Sequence, residues 1–135
     1  MIVGSIKENL SLEKRVSITP ETAKNIINLG LKVCLEKNYA NHLGINDSAY
    51  ENFGVKIYNT PKEVCNNINL LSKVECPSED EISNLKENTI LVGILNPIKN
   101  QNKIKKILEK KINIFALELL PRISRAQSMD VLSSQ

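Results

Sequence analysis

The sequence predicts an α/β domain built in three layers, with helices on both faces of a mainly parallel sheet. Three observations predict it. Short apolar runs alternate with helical patterns along the chain, at spacings that suit strand–helix–strand crossovers. The run Thr89-Ile90-Leu91-Val92-Gly93-Ile94-Leu95 is almost continuously apolar, as expected of a strand covered on both faces. The 135 residues, with 41% hydrophobic and 24% charged side chains, are enough for one ordinary core.

The elements follow in order. Ile2-Val3 opens a strand that ends near Lys7-Glu8, and a polar loop from Asn9 to Lys14 leads to Arg15-Val16-Ser17-Ile18. Thr19-Pro20-Glu21 is a helix start: a capping hydroxyl, a proline suited to the first turn and an acid at the positive end of the dipole. Ala23, Ile26 and Ile27 form its buried stripe, and Gly30 closes it. Leu31 to Leu35 alternates like a strand. Asp47 is expected to cap a short helix carrying Ala49, Tyr50 and Phe53, closed by Gly54, and Val55 to Ile57 is the third strand. Thr60-Pro61-Lys62-Glu63 starts another helix. Ile68 to Val74 is the fourth strand, Ser78 to Leu85 a short helix and Thr89 to Leu95 the fifth strand. Lys99 to Lys111 is an amphipathic helix with Ile104, Ile107 and Leu108 inside and a solvated lysine face, and Ile112 to Leu117 is the sixth strand. The expected layering is Rossmann-like or flavodoxin-like. The five glycines never approach G-x-G-x-x-G, so no glycine-rich dinucleotide loop is present.

Composition excludes several classes of function. Cys34, Cys65 and Cys76 are widely spaced and His42 is the single histidine, so no metal site is expected, and the thiols read as buried. Net charge is +3 and aromatics are 4%, which argues against nucleic-acid binding. There is no G-x-S-x-G. No apolar run reaches transmembrane length and the start reaches charge too early for a signal peptide, so a cytoplasmic setting is expected.

The last fifteen residues, Pro121-Arg-Ile-Ser-Arg-Ala-Gln-Ser-Met-Asp-Val-Leu-Ser-Ser-Gln135, combine polar and apolar periodicity. As a helix, this stretch places Gln127, Asp130 and Ser133 (or Ser134) on one face. Ile123, Ala126, Met129 and Leu132 share the adjacent face. Arg122 then stands at a strand-to-helix turn, at the carboxyl edge of the sheet where ligands bind in open α/β folds. That donor and acceptor set suits a ribose and a carboxamide. From periodicity alone, the reading as an N-capped, solvated amphipathic helix is the favoured one.

The tail resembles the Arg–Gln–Asp loop of the NAD(H)-binding component of proton-translocating NAD(P)⁺ transhydrogenase. Ile2-Val3-Gly4 through Lys7-Glu8, then Glu13-Lys14-Arg15-Val16-Ser17-Ile18-Thr19-Pro20, resembles the opening of the alanine dehydrogenase/transhydrogenase amino-terminal domain. Leu71-Ser72-Lys73-Val74 and Pro77 fit its middle, and the likeness covers the chain apart from a loop around Lys37 to Gly44. Alanine dehydrogenase shares this domain and uses an arginine, a lysine and a histidine. Arg15 matches the arginine, whereas Glu75 stands at the lysine position and Asn96 at the histidine position.

The resemblance implies residues 1–121 as the amino-terminal domain and 122–135 as the nicotinamide-contacting loop and the start of a crossover helix. The glycine-loop NAD(H) domain lies outside this chain. It implies cofactor contacts from Arg122, Ile123, Ser124, Arg125, Gln127, Asp130 and Ser133, with Gln127 and Asp130 closest to the chemistry. Arg15 and Lys73 are left open as structural or site residues. In the family, hydride passes directly from NADH to NADP⁺, so the implied function is to position NADH. The implied partners are the NADP(H)-binding and membrane-spanning proton-channel components, with the chain peripheral to the inner membrane. The chain is expected to be a homodimer, a piece of a longer polypeptide or the product of a split gene, and to bind NAD(H) weakly or not at all alone. The alternatives are a non-catalytic remnant or assembly module of that complex, and an alanine dehydrogenase fragment.

Overall fold

The computed structural model describes residues 1–119. Six parallel strands form a single sheet: β1 (Ile2–Ser5), β2 (Lys32–Glu36), β3 (Lys56–Tyr58), β4 (Leu70–Glu75), β5 (Ile90–Ile94) and β6 (Asn113–Ala116). Their order is β3-β2-β1-β4-β5-β6, which is the doubly wound Rossmann arrangement and not the flavodoxin one. The helices are α1 (Pro20–Asn28), α2 (Asp47–Glu51), α3 (Pro61–Asn66), α4 (Glu79–Asn84) and α5 (Gln101–Glu109). A 3₁₀ turn, Leu117–Leu119, follows β6 without a break.

Local chemistry accounts for the boundaries. Thr19 Oγ1 accepts the Thr22 N–H at 3.2 Å and Pro20 opens α1. Gly30 (φ 93°) and Gly54 (φ 96°) take the left-handed conformation that glycine tolerates after a helix. Thr60 caps α3, and Ser78 with Glu81 forms a capping box on α4. The expected cap of α2 is corrected: Asn46 is the N-cap and Asp47 the first helical residue. The Asp47 carboxylate is engaged elsewhere, accepting the Asn38 N–H from both oxygens at 3.0 Å.

Two cores sit on opposite faces of the sheet, because successive strand residues point to opposite sides. On one face Val3, Val33 and Leu35 pack with Ala23 of α1 and Tyr50 of α2. On the other, Cys34, Leu71, Leu91 and Leu95 pack with Val64 of α3, Ile82 of α4 and Ile107 of α5. Gly4 lets α3 and the segment after it lie close over β1: a Cβ there would stand 3.1 Å from Val64 Cγ1 of α3 and 2.5 Å from Ile68 Cγ2 just beyond it. All three cysteines are buried and unbridged, as expected. Burial pushes the Cys65 thiol up to about 12.

Candidate functional site

The strand order reverses between β1 and β4, and in open α/β sheets the crevice outside the carboxyl ends at such a point is the usual ligand site. Residues of five segments lie along this carboxyl edge. The chain beyond β1 brings Lys7 and Glu8, and the loop before α1 brings Arg15 and Ser17. The end of β4 brings Ser72 to Glu75, the end of β5 brings Asn96, and the turn after β6 brings Glu118.

The floor of the crevice is a buried polar network. Tyr39 Oη accepts the N–H groups of Ser17 (3.0 Å) and Ile18 (3.2 Å) and shares a hydrogen bond with Ser5 Oγ (2.8 Å). Ser5 Oγ donates to the Ser72 carbonyl at 2.6 Å, and Ser17 Oγ meets Ser72 Oγ. Tyr50 Oη donates to the Ile18 carbonyl at 2.8 Å, and the two tyrosine rings meet edge-on at 5.9 Å. These bonds fasten the segment carrying Arg15 to the ends of β1 and β4. Burial raises the pKa of both phenols, so they act as neutral hydrogen-bonding groups.

Above the floor lies a buried ion pair. Lys73 is 4% exposed and the Glu8 side chain 0%. The Lys73 ammonium lies 3.5 Å from Glu8 Oε1, 3.5 Å from Glu81 Oε1 and 3.5 Å from the Lys7 carbonyl. Glu8 also accepts the N–H groups of Val74 (2.9 Å) and Glu75 (3.2 Å). Desolvation raises the Glu8 pKa above its ordinary value, against the lowering effect of Lys73 and the two backbone donors. Glu81 serves twice, since the same oxygen accepts the Ser78 N–H at 2.8 Å in the cap of α4.

A bulge aims Lys73 at this pair. In β4, Ser72 pairs with Val92 and Glu75 with Ile94, so Lys73 and Val74 together face Gly93. A Cβ on Gly93 would fall inside contact distance of the Lys73 carbonyl oxygen, so only glycine fits.

Arg15 is exposed and forked onto Glu13, with Nε–Oε2 at 2.8 Å and Nη2–Oε1 at 2.9 Å. These bonds lower the Glu13 pKa and raise that of Arg15, on which the charges of Glu75 and Glu8 also act. Glu75 is half-buried at the end of β4, and Asn96 (φ 47°) is exposed just beyond β5. The structure therefore brings Arg15, Lys73, Glu75 and Asn96 to the same sheet edge, with Lys73 inside the ion pair. Arg122, Ile123, Ser124, Arg125, Gln127, Asp130 and Ser133 lie outside the described residues. A separate groove of about 740 Å³ runs beside Arg15, Thr19, Pro20, Leu43 and Ile45.

The sequence reading missed Glu8, Glu81, Glu118 and Tyr39. Ser78-x-x-Glu81 carried a legible capping signal. The other three are joined to partners distant in sequence, which no local pattern reveals. Among the described residues no group of three or more His, Cys, Asp and Glu side chains could hold a metal ion. No described helix is long and apolar enough to cross a membrane. A whole dinucleotide does not fit the described residues. The turn after β1 is a long loop pinned by Tyr39, and it offers no glycine cradle for a pyrophosphate.

Comparison with known proteins gives a consistent result. Residues 4–135 match the family described as alanine dehydrogenase/PNT, N-terminal domain. The chain is 37% identical over 134 residues to NAD(P) transhydrogenase subunit alpha of Haemophilus influenzae, covering 99% of this chain and 26% of that protein. It is 31% identical over 134 residues to NAD(P) transhydrogenase subunit alpha of Cereibacter sphaeroides, again covering 99% of this chain and 26% of that protein. The crystal structure of transhydrogenase from Sinorhizobium meliloti superimposes with a TM-score of 0.87 at 35% identity, over 99% of this chain and 40% of that one. The chain thus spans well under half the length of these relatives.

Proposed function

Because the chain belongs to the alanine dehydrogenase/PNT amino-terminal domain family, we propose that it forms part of the NAD(H)-binding component of a proton-translocating NAD(P)⁺ transhydrogenase. Its role is to hold the nicotinamide end of NADH for direct hydride transfer to NADP⁺ on a partner component. The observation that carries this reading is the chemistry of the carboxyl edge. The two positions where the alanine dehydrogenase pattern calls for a lysine and a histidine hold Glu75 and Asn96, and they stand together at the ends of adjacent strands. Lys73 does not substitute for the missing cation, because it is buried against Glu8 and Glu81. No proton-transfer group of the dehydrogenase kind is left at that position. Direct hydride transfer needs neither a nucleophile nor a general base; it needs proximity, orientation and a fitting electrostatic surface.

In this reading Arg122, Gln127, Asp130 and Ser133 contact the nicotinamide end, with backbone or side-chain contacts from Ile123, Ser124 and Arg125. The 3₁₀ turn at Leu117–Leu119 starts this segment from the carboxyl edge of the sheet, which supports that placement. The pyrophosphate and adenosine are held by polypeptide outside this chain, and NADP(H) by a partner component. The complex places the chain beside the inner membrane. Reconstitution tests the reading: the chain, the downstream NAD(H)-domain polypeptide and the NADP(H) component are combined and hydride transfer is measured. Transfer is expected, and Gln127→Ala or Asp130→Ala should depress it strongly while leaving the fold intact. Wild-type rates in both variants would remove the site assignment.

A further inference from the structure

We infer that one half-face of the sheet is a docking surface: the side of β5 and β6 turned away from α3, α4 and α5 takes an amphipathic helix of the polypeptide that follows this domain in its longer relatives. Successive strand residues alternate between faces. Leu91, Ile114 and Ala116 point into the core shared with α3, α4 and α5, so Ile90, Val92, Ile94 and Phe115 point the other way. The register sets Val92 beside Phe115 across the two strands. These four side chains belong to neither core cluster. Ile90, Val92 and Ile94 are partly exposed and Phe115 is 50% exposed. Among the described residues, the helices of that side lie further along the sheet, α1 on β2 and α2 on β3. The core beneath them reaches only as far as Leu70 of β4. Phe115 is nonetheless carried by a firmly seated strand. The ladder of β6 with β5 runs to Gly93 and Ala116, and beyond it Glu118 accepts the Leu95 N–H at 3.1 Å and the Asn96 N–H at 2.7 Å.

A strand of a parallel sheet is ordinarily covered on both faces, because crossover helices lie on both. β5 is apolar on both sides, with Leu91 and Leu95 on one and Ile90, Val92 and Ile94 on the other. Described residues cover only the first. None of the side chains on the open side of β5 and β6 is charged, and the single polar one is Asn113, which pairs with Ile90. Such a strip matches an aliphatic stripe and not a charged surface. β5 is five residues long, about 17 Å, which is the length of about eleven helical residues. A helix is about 10 Å wide and neighbouring strands are about 5 Å apart, so one helix covers this pair. The relatives continue well beyond this domain. The match is to an N-terminal domain, and it accounts for 26% of the Haemophilus influenzae protein and 40% of the Sinorhizobium meliloti chain.

The test mixes this chain with the downstream NAD(H)-domain polypeptide, supplied as a separate chain. Affinity is read by isothermal titration and side-chain access by hydroxyl-radical footprinting. Phe115 is expected to be oxidised in the isolated chain and protected in the mixture. Phe115→Ser should weaken the association about tenfold, the worth of burying the exposed half of a phenylalanine. Leu29→Ser, at a residue 79% exposed after α1, should leave it unchanged. The urea midpoint shows whether Phe115→Ser still folds, and footprinting of the unaltered chain decides the matter if it does not. Association with Phe115 still open to oxidation, association undiminished by Phe115→Ser, or no association at all overturns the inference. Phe115 already protected in the isolated chain overturns it too, and light scattering then tells a second copy from residues 120–135 as the occupant. The inference does not rest on hydride transfer, so its failure leaves the proposed function to its own reconstitution test.

Discussion

Replacing Lys73 with Met should destabilise the protein, and the loss should grow with pH. The wild-type ammonium is 4% exposed and lies 3.5 Å from a Glu8 carboxylate whose side chain is 0% exposed. Removing one partner of such a pair leaves an uncompensated buried charge, which costs about 3–5 kcal/mol. For a domain of this size that is about 10–18 °C in Tm. Glu8 can escape part of the cost by taking a proton. Its folded pKa is already raised by desolvation, and Lys73 is the charge that opposes the rise. The sign follows from linkage. A carboxyl whose folded pKa lies above its unfolded value contributes stability that is full below the unfolded pKa and is lost as pH rises through the folded one. Without Lys73 the Glu8 pKa rises further, so the variant should approach wild type near pH 4.5 and fall well below it at pH 8. The assay is urea unfolding at both pH values of wild type, Lys73→Met, Glu8→Gln and the double variant. The double variant should recover much of the loss, because it removes both charges. A Lys73→Met loss below about 1 kcal/mol at pH 8, or one equal at both pH values, would refute the reasoning.

Three further outcomes are expected. Gly93→Ala should cost about 1–3 kcal/mol in urea unfolding, because the new methyl meets the Lys73 carbonyl at the bulge; an unchanged midpoint would contradict the close approach. Tyr39→Phe should cost about 1–3 kcal/mol, because the N–H groups of Ser17 and Ile18 and the Ser5 hydroxyl lose a buried partner; a neutral effect would mean that water takes over the hydroxyl's place. Isothermal titration of the isolated chain should give no heat at micromolar NADH, since no pyrophosphate cradle exists among the described residues; tight binding there would overturn the proposed division of the cofactor site.

Much of the fold was legible because its signals are local. Thr19-Pro20-Glu21, Gly30 and Thr60-Pro61 mark helix ends through chemistry that acts within a few residues. The alternation at Leu31–Leu35 and the apolar run at Thr89–Leu95 report one-sided and two-sided burial directly. Strand order was not legible, since the return from β3 to β4 across the sheet leaves no local mark. Asp47 misled for a physical reason: a distant backbone donor, Asn38 N–H, takes the carboxylate that would have capped α2. The candidate site divides along the same line. Glu75 and Asn96 could be placed at one edge from sequence likeness, and the fold brings them there. The partnership of Glu8 with Lys73, and that of Glu118 with Leu95 and Asn96, joins residues far apart in the chain and exists only once the sheet has formed. The loop residues Arg122 to Ser133 lie outside the described residues, so their roles rest on the resemblance.

The central claim is direct hydride transfer, and isotope tracing tests it most directly. NADH carrying deuterium at the transferred position of C4 is mixed with NADP⁺ and the complex reconstituted from this chain, the downstream NAD(H)-domain polypeptide and the NADP(H) component. The account predicts that the deuterium appears in NADPH without dilution by solvent protons, and that Asp130→Ala abolishes most of the transfer. NADPH that forms without the label, or no NADPH in an assembly whose other components are active with a relative's own subunit, would contradict it.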